Sequence, residues 1–320
     1  MTDPNKPADE PKLAKNETIK ADSNLLRGTI ADGLRDDSTG ALAADDTQLT
    51  KFHGIYQQDD RDLRGERRKA KQERAFAFMT RVRVPGGVCT PQQWLDMDRF
   101  CTDYANGALK LTTRQAFQLH GIIKKNLKTT IRKINDSLMD TIAACGDVNR
   151  NVMAPPTPAR NGLAARVLED SKLVAAALLP STKAYHQIWV EGVKLKLDDS
   201  GYEDPLYGKT YLPRKFKTGF AVPPLNDTDV LTNCLGFVAI EENGELAGYN
   251  LTAGGGMGMT HNTPRTFPRV ADVIGFFTPE HIEAVAKAVV TVHRDFGDRT
   301  DRRHARLKYV LAERGVAWFR

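Results

Sequence analysis

Cysteine is scarce in this chain. Four occur in 320 residues, at positions 89, 101, 145 and 234, and no two are closer than 12 positions. Neither C-x-x-C nor C-x-x-x-C is present. That argues against a disulfide scaffold and predicts reduced, mostly buried thiols. Long apolar runs are missing too: nothing approaches the roughly 18 to 20 consecutive apolar residues of a membrane-spanning helix. The opening stretch, MTDPNKPADEPKLAKNETIK, has no apolar core of a secretory signal, so a cytoplasmic location is the expectation. There is no G-x-G-x-x-G, no G-K-[ST], no H-E-x-x-H and no convincing hydrolase triad. The usual sequence marks of nucleotide, catalytic zinc and acyl-transfer sites are therefore lacking.

What is present is a soluble composition, 41% hydrophobic with mean hydropathy −0.44, long enough for one large or two ordinary domains. Net charge is +6 and the pI is near 9.0. Such a balance admits nucleic acid, an anionic cofactor or a small anion as partner. The basic residues are spread over predicted strands and loops, without a recognition motif or interleaved aromatics, which speaks against nucleic acid.

Residues 1–60 read as an extended, polar arm, with Leu25, Leu26 and Ile30 as a small apolar anchor. Residues 59–74 form a dense charge run, DDRDLRGERRKAKQER, expected to be a solvated face or linker. In AFAFMTRVRV (75–84) alternation puts Phe76, Phe78, Thr80, Val82 and Val84 on one face of a strand, and Arg81 and Arg83 on the other. Thr90-Pro91 opens a helix with an apolar stripe of Trp94, Met97, Phe100, Cys101 and Tyr104; Asn106-Gly107 stops it. Short strands are expected over 108–113 and 116–123, and a second helix over 127–144 with Ile131, Ile134, Leu138 and Ile142 on one side and Gly146 beyond its end. The stretch thus reads strand–helix–strand–helix, an α+β sandwich with a plausible ferredoxin-like arrangement. The polar, proline-paired segment 147–160 predicts a domain boundary. Beyond it a helix is expected over 161–179, strands over 185–191, 214–222 and 235–241, a glycine loop over 254–258, a helix over 279–295, and a final helix in RRHARLKYVLAERGVAWFR.

Three polar constellations stand out. Arg81 and Arg83 share one strand face; Lys215 and Lys217 share another, with Phe216 and Phe220 turned into a core. Paired cations on rigid strands suit a small oxyanion or cofactor carboxylates, and equally suit two basic faces meeting solvent. The segment LTTRQAFQLHG (111–121) offers hydroxyl, amide and guanidinium donors, with His120 more naturally a hydrogen-bonded structural residue. Asn149-Arg150-Asn151 places an arginine at the domain junction, as a ligand contact or a backbone brace.

Together these pieces resemble the sirohaem-containing sulfite reductase hemoproteins. The resemblance is carried by NETIK at 16–20, SNLLRG at 23–28, KFHGIYQQDDR at 51–61, LTTRQAFQLHG at 111–121, DVNRN at 147–151, LPRKFKT at 212–218 and HARLKY at 304–309, in that order. It implies a ferredoxin-like domain over 61–146 and, over 147–320, part of a sirohaem-binding nitrite/sulfite reductase α+β domain that continues beyond the chain. The implied activity is the six-electron reduction of sulfite to sulfide, with electrons from an NADPH-oxidising flavoprotein and no nucleic acid or membrane partner. Arg83, Arg150, Lys215 and Lys217 are the implied basic side chains around sulfite. Arg81, Thr113, Arg114, Gln115, Asn149, Arg214 and Arg306 are implied contacts of the eight sirohaem carboxylates. The resemblance also implies a 4Fe–4S cluster bound by C-x(5)-C and C-x(3)-C. Neither pattern occurs here, so no metal ligand is assigned and a fragment of a longer protein is expected. The alternatives are a sirohaem nitrite reductase fragment, or a non-catalytic module that retains sirohaem or stabilises a partner.

Overall fold

The structure, a computed structural model, describes residues 12–156, 162–181 and 201–320, with the backbone of 189–190 and 193–194. The described part of the expected arm is not loose. It folds into α1 (Lys15–Ala21), α2 (Ile30–Gly33), α3 (Asp46–Leu49) and the strand β1 (Ile55–Asp59). Leu26, Leu49 and Phe52 are buried. Charge holds α1 in place. Lys20 and Glu17 pair at 2.5 Å inside the protein, and Lys20 also donates to the Leu212 carbonyl at 2.8 Å. Arg299 pairs with Glu17, and Arg302 grips Asp147 at 2.6 and 2.8 Å. Removing one partner from such a buried set is costly, because the other is left uncompensated.

The charge run contains the exposed helix α4 (Arg64–Lys69). Then follow β2 (Phe76–Val82), α5 (Pro91–Tyr104), β3 (Leu109–Leu111), β4 (Phe117–Ile122) and α6 (Lys124–Asp136). The sheet order is β1-β2-β4-β3, antiparallel throughout. A ferredoxin-like sheet needs four strands. The fourth comes from β1, ahead of the expected break after residue 60. Thr90 is the N-cap of α5, as the sequence predicts, and Gln93 completes a reciprocal capping pair with it. Met97, Phe100 and Cys101 face the sheet, whereas Trp94 is 44% exposed and packs edge-on to Phe117. The second helix ends earlier than expected. The Ser137 hydroxyl donates to the Ile134 carbonyl and Leu138 takes a left-handed φ of 59°. Leu138 is consequently 90% exposed instead of lying on the helix's apolar side.

Segment 147–153 is irregular but firmly held. It runs parallel to 212–220, with bridges Asn149–Phe216 and Met153–Gly219. Beyond it lie α7 (Gly162–Ala177) and a short antiparallel pair, β5 (Trp189–Val190) with β6 (Val193–Lys194); residues 185–188 and 191 of the expected strand fall outside the described residues. The second sheet has order β10-β9-β8-β7, from β7 (Thr218–Ala221), β8 (Leu235–Glu242), β9 (Glu245–Ala253) and β10 (Asp272–Phe277), with only β7 and β8 parallel. The expected strand over 214–222 is therefore shorter, and Lys215 and Lys217 lie on the extended run leading into it. Phe216, Phe220, Phe237 and Tyr249 fill the core beneath. The helix α8 (Ile282–Phe296) covers it, followed by α9 (Leu307–Arg314) and α10 (Val316–Phe319). Gly315, at φ 80°, divides the expected last helix in two. Among the described residues no helix is long and apolar enough to cross a membrane.

One side chain joins the two sheets' surroundings. Asn151, 3% exposed, accepts from the Val84 N–H at 3.0 Å. Its amide donates to the carbonyls of Val84, Arg114 and Gln115 at 2.8, 3.0 and 2.9 Å. Replacing it by Ala leaves buried backbone groups unpaired. The expected loss of unfolding free energy is about 1–3 kcal/mol, read by denaturant titration. A change under about 0.5 kcal/mol, the scale of ordinary surface substitutions, would contradict this role.

Candidate functional site

Where the two units meet, the outer face of the first sheet and the run leading into β7 enclose a cleft of about 300 Å³. Its lining includes Arg81, Thr112, Thr113, Arg114, Arg150, Asn151, Lys215, Lys217 and Asp229. Each cation is placed by local backbone logic. Arg81 points outward from β2 because Thr80 and Val82 point in; its Nη1 lies 3.0 Å from the Cys145 Sγ. Arg114 sits in a turn closed by the Thr112 hydroxyl, which accepts from the Arg114 and Ala116 N–H groups at 3.2 Å each. Arg150 donates through Nε to the Gly146 carbonyl at 2.9 Å, while its own N–H is held by the Phe216 carbonyl at 3.0 Å. Lys215 and Lys217 flank the fully buried Phe216, so alternation turns both amines into the cleft.

The charge is one-sided: five cations line the cleft against one carboxylate, Asp229. Nor are the arginines neutralised from behind. Arg114 donates to the Asn151 and Thr218 carbonyls at 3.1 and 3.0 Å and to the Asn233 side-chain oxygen. Burial pulls Arg114 down to about 10, with Arg150 and Arg306 adding repulsion, yet it stays charged at neutral pH. Lys215 and Lys217 are both lowered to about 8, by burial first and then by the neighbouring arginines. Arg306 stands behind them. Its Nη2 is 3.1 Å from the Cys234 Sγ, and its buried Nε has no partner among the described residues. Burial pushes the Cys234 thiol up, but Arg306 and Lys217 outweigh it and hold it below the ordinary thiol value. Concentrated, desolvated positive charge with unfilled donors is an anion site.

Not every expected site residue is there. Arg83 does not line the cleft: β2 ends at Val82, so Arg83 leaves the pleat and its guanidinium forks onto Asp140 at 3.1 and 3.0 Å. Asn149 is 4% exposed and accepts from the Thr218 hydroxyl. Gln115 turns away to brace Ala154, donating to its carbonyl at 2.6 Å and accepting from its N–H at 3.1 Å. Arg214 lies near Asp147 and Arg302, behind the cleft lining. Thr112 belongs to the donor-rich segment 111–121 but was not singled out, and Asp229, Cys145 and Cys234 were not anticipated as site residues.

The fit to the two implied groups differs. The cleft suits a ligand bearing several carboxylates or a small oxyanion, since each open cation and the orphaned Arg306 Nε would gain an acceptor. A 4Fe–4S cluster finds no seat. Among the described residues no three cysteines, histidines or carboxylates converge, and all four cysteines are separate free thiols.

Comparisons with known proteins bear on the family and the fold. The family model for the nitrite/sulfite reductase ferredoxin-like half domain matches residues 69–137, and that for the nitrite and sulphite reductase 4Fe-4S domain matches 169–320. The sulfite reductase [NADPH] hemoprotein beta-component of Myxococcus xanthus is 56% identical over 97% of this chain, and that of Oceanobacillus iheyensis 55% over its whole length. In both cases the chain spans 55% of the relative's length. Among solved structures, the Mycobacterium tuberculosis NirA protein superposes with a TM-score of 0.73 at 24% identity, over 97% of this chain and 52% of that one. Dissimilatory sulfite reductase I superposes at 0.56 and 9% identity, over 98% of this chain and 87% of that one. At such identities the likeness concerns the fold.

The lysine values set a pH dependence. A lowered lysine keeps its charge below about 8 and loses it above. Sulfate affinity, measured calorimetrically, should fall as pH rises from 7 to 9. Lys217→Met should weaken binding at pH 7 and flatten that fall. Affinity independent of pH in the parent chain would contradict the assignment.

Proposed function

This chain belongs to the nitrite and sulphite reductase family, and from that premise we propose that it is a portion of the hemoprotein component of an NADPH-dependent assimilatory sulfite reductase. In this reading the cleft takes sirohaem carboxylates and the sulfite oxyanion, and a flavoprotein that oxidises NADPH supplies the electrons. One observation carries it: the cleft's cations are satisfied by neutral acceptors or left open, so their charge remains available to a ligand. Arg81, Arg114 and Arg150 would hold carboxylates from fixed positions, with Arg306 completing the wall. Thr113 would add a hydroxyl donor. Lys215 and Lys217, lowered to about 8, would orient the oxyanion and keep a transferable proton on Nζ near neutral pH. Bound sirohaem would supply the electrons' route to the substrate. No step is assigned to a cluster, for which no ligand set converges among the described residues.

The test is the visible spectrum of the purified chain from cells that make sirohaem, with iron and acid-labile sulfide assayed on the same sample. A sirohaem spectrum with iron and little sulfide is expected. A charge-assisted hydrogen bond is worth about 1.5–3 kcal/mol, so Arg150→Ser should weaken pigment retention roughly 10- to 100-fold. Arg83→Ser, outside the cleft, should leave it near the parent level. A colourless, iron-free parent chain, or equal losses in both variants, would contradict the reading.

A further inference from the structure

The outer face of the first sheet carries, beside Arg81, two polar side chains that the reading above leaves idle, Gln118 and His120. Gln118 on β4 stands opposite Arg81 of β2 and Lys110 of β3. His120 follows two residues along, on the same face of β4. With its amide oxygen toward Arg81, Gln118 accepts from Nε at 3.1 Å and Nη2 at 2.5 Å, and its amide nitrogen donates to His120 Nε2 at 3.1 Å. Turned the other way, the amide oxygen faces His120 Nε2 at 3.1 Å and the amide N–H groups face the guanidinium, donor against donor. The protonation of His120 Nε2 decides between them. An unprotonated Nε2 needs a donor; a protonated one needs an acceptor. The stakes lie at Arg81, because Nε and Nη2 form the edge with which arginine grips an oxyanion in two parallel bonds. Arg81 Nη1 lies 3.0 Å from the Cys145 Sγ, which puts the guanidinium head at the cleft.

We propose that Gln118 is a positioning residue for Arg81 and that His120 sets its orientation: His120 with Nε2 unprotonated, the Nδ1–H tautomer, keeps the Arg81 fork occupied by Gln118, and protonation of Nε2 frees the fork for an anion in the cleft. This rests on the reading of the cleft as an anion site. The charged groups facing His120 are Lys110 from β3 and Arg81 from β2. From the segment after α5, Asn106 contributes only its backbone N–H, to the His120 carbonyl at 2.8 Å. Partial burial first, and then the two cations, hold the imidazole below its ordinary value of 6.5. The fork is therefore released on the acid side of an ordinary histidine. By linkage, an anion on the fork favours the protonated ring and draws the His120 midpoint upward.

Nitrogen NMR of the 320-residue chain from roughly pH 5 to 8, with and without sulfate as the probe, tests this. The Arg81 Nε–H resonance should shift with the same midpoint as the His120 ring, and sulfate should raise that midpoint. In Gln118→Leu the His120 ring should still titrate while the Arg81 step is lost; in His120→Asn the Arg81 step should vanish. The relay is overturned if Arg81 stays constant while His120 titrates, or if it follows His120 equally in Gln118→Leu, which would signal charge acting through space. Failure of the underlying reading looks different: Arg81 follows His120, the variant uncouples them, and sulfate binds nowhere.

Discussion

Everything in this chain turns on how it treats its buried positive charge. Two groups of cations lie close together and are handled in opposite ways. Lys20, Arg299 and Arg302 are matched with Glu17 and Asp147 and act as internal braces. Arg81, Arg114, Arg150, Lys215 and Lys217 meet carbonyls, an amide oxygen, a thiol or open space, with Asp229 the one carboxylate in their cleft. Neutral acceptors orient a guanidinium without cancelling it. The fold thus bears buried, mutually repelling charge at one place: burial first, and then the neighbouring cations, lower both lysines. A site that is electrostatically uncomfortable alone is preorganised for an anion.

Holding such charges together requires stiff neighbours. The braces deliver part of that: Asp147 begins the segment that carries Arg150, and the Lys20 amine reaches the Leu212 carbonyl just ahead of the lysine run. Asn151 delivers the rest, by tying the end of β2's strand to the turn that carries Arg114. Residues from both sheets' surroundings therefore converge without a ligand. The N-terminal residues that read as an arm supply an edge strand and the Glu17–Lys20 pair, so they belong to the same framework.

Much of this was legible in the sequence wherever short-range periodicity governs. Alternation placed Arg81 outward, and Lys215 and Lys217 around an inward Phe216; the Thr90-Pro91-Gln92-Gln93 start marked α5 to the residue. Alternation placed Arg83 on the same outward face, but β2 ends at Val82 and the Arg83 guanidinium meets Asp140, because a strand's end cannot be seen in its pattern. Gln115 and Asn149 find partners inside the protein for a related reason. Small polar side chains near a ligand-like motif are as useful for internal hydrogen bonds as for touching a ligand: Gln115 closes onto the Ala154 backbone and Asn149 accepts from the Thr218 hydroxyl. β1 was missed because IYQQD is short and half-exposed. The Glu17–Arg299 and Asp147–Arg302 pairs span 282 and 155 positions, beyond the reach of any local pattern.

The central claim is that the cleft's open charge is an anion site already formed in the chain alone. The direct measurement is anomalous diffraction from a crystal of the chain soaked in selenate, an oxyanion with a heavy scatterer. The account predicts a selenium peak within hydrogen-bonding reach of Lys215, Lys217 and Arg150. A cleft without selenium, with both lysine amines turned to solvent, would contradict it.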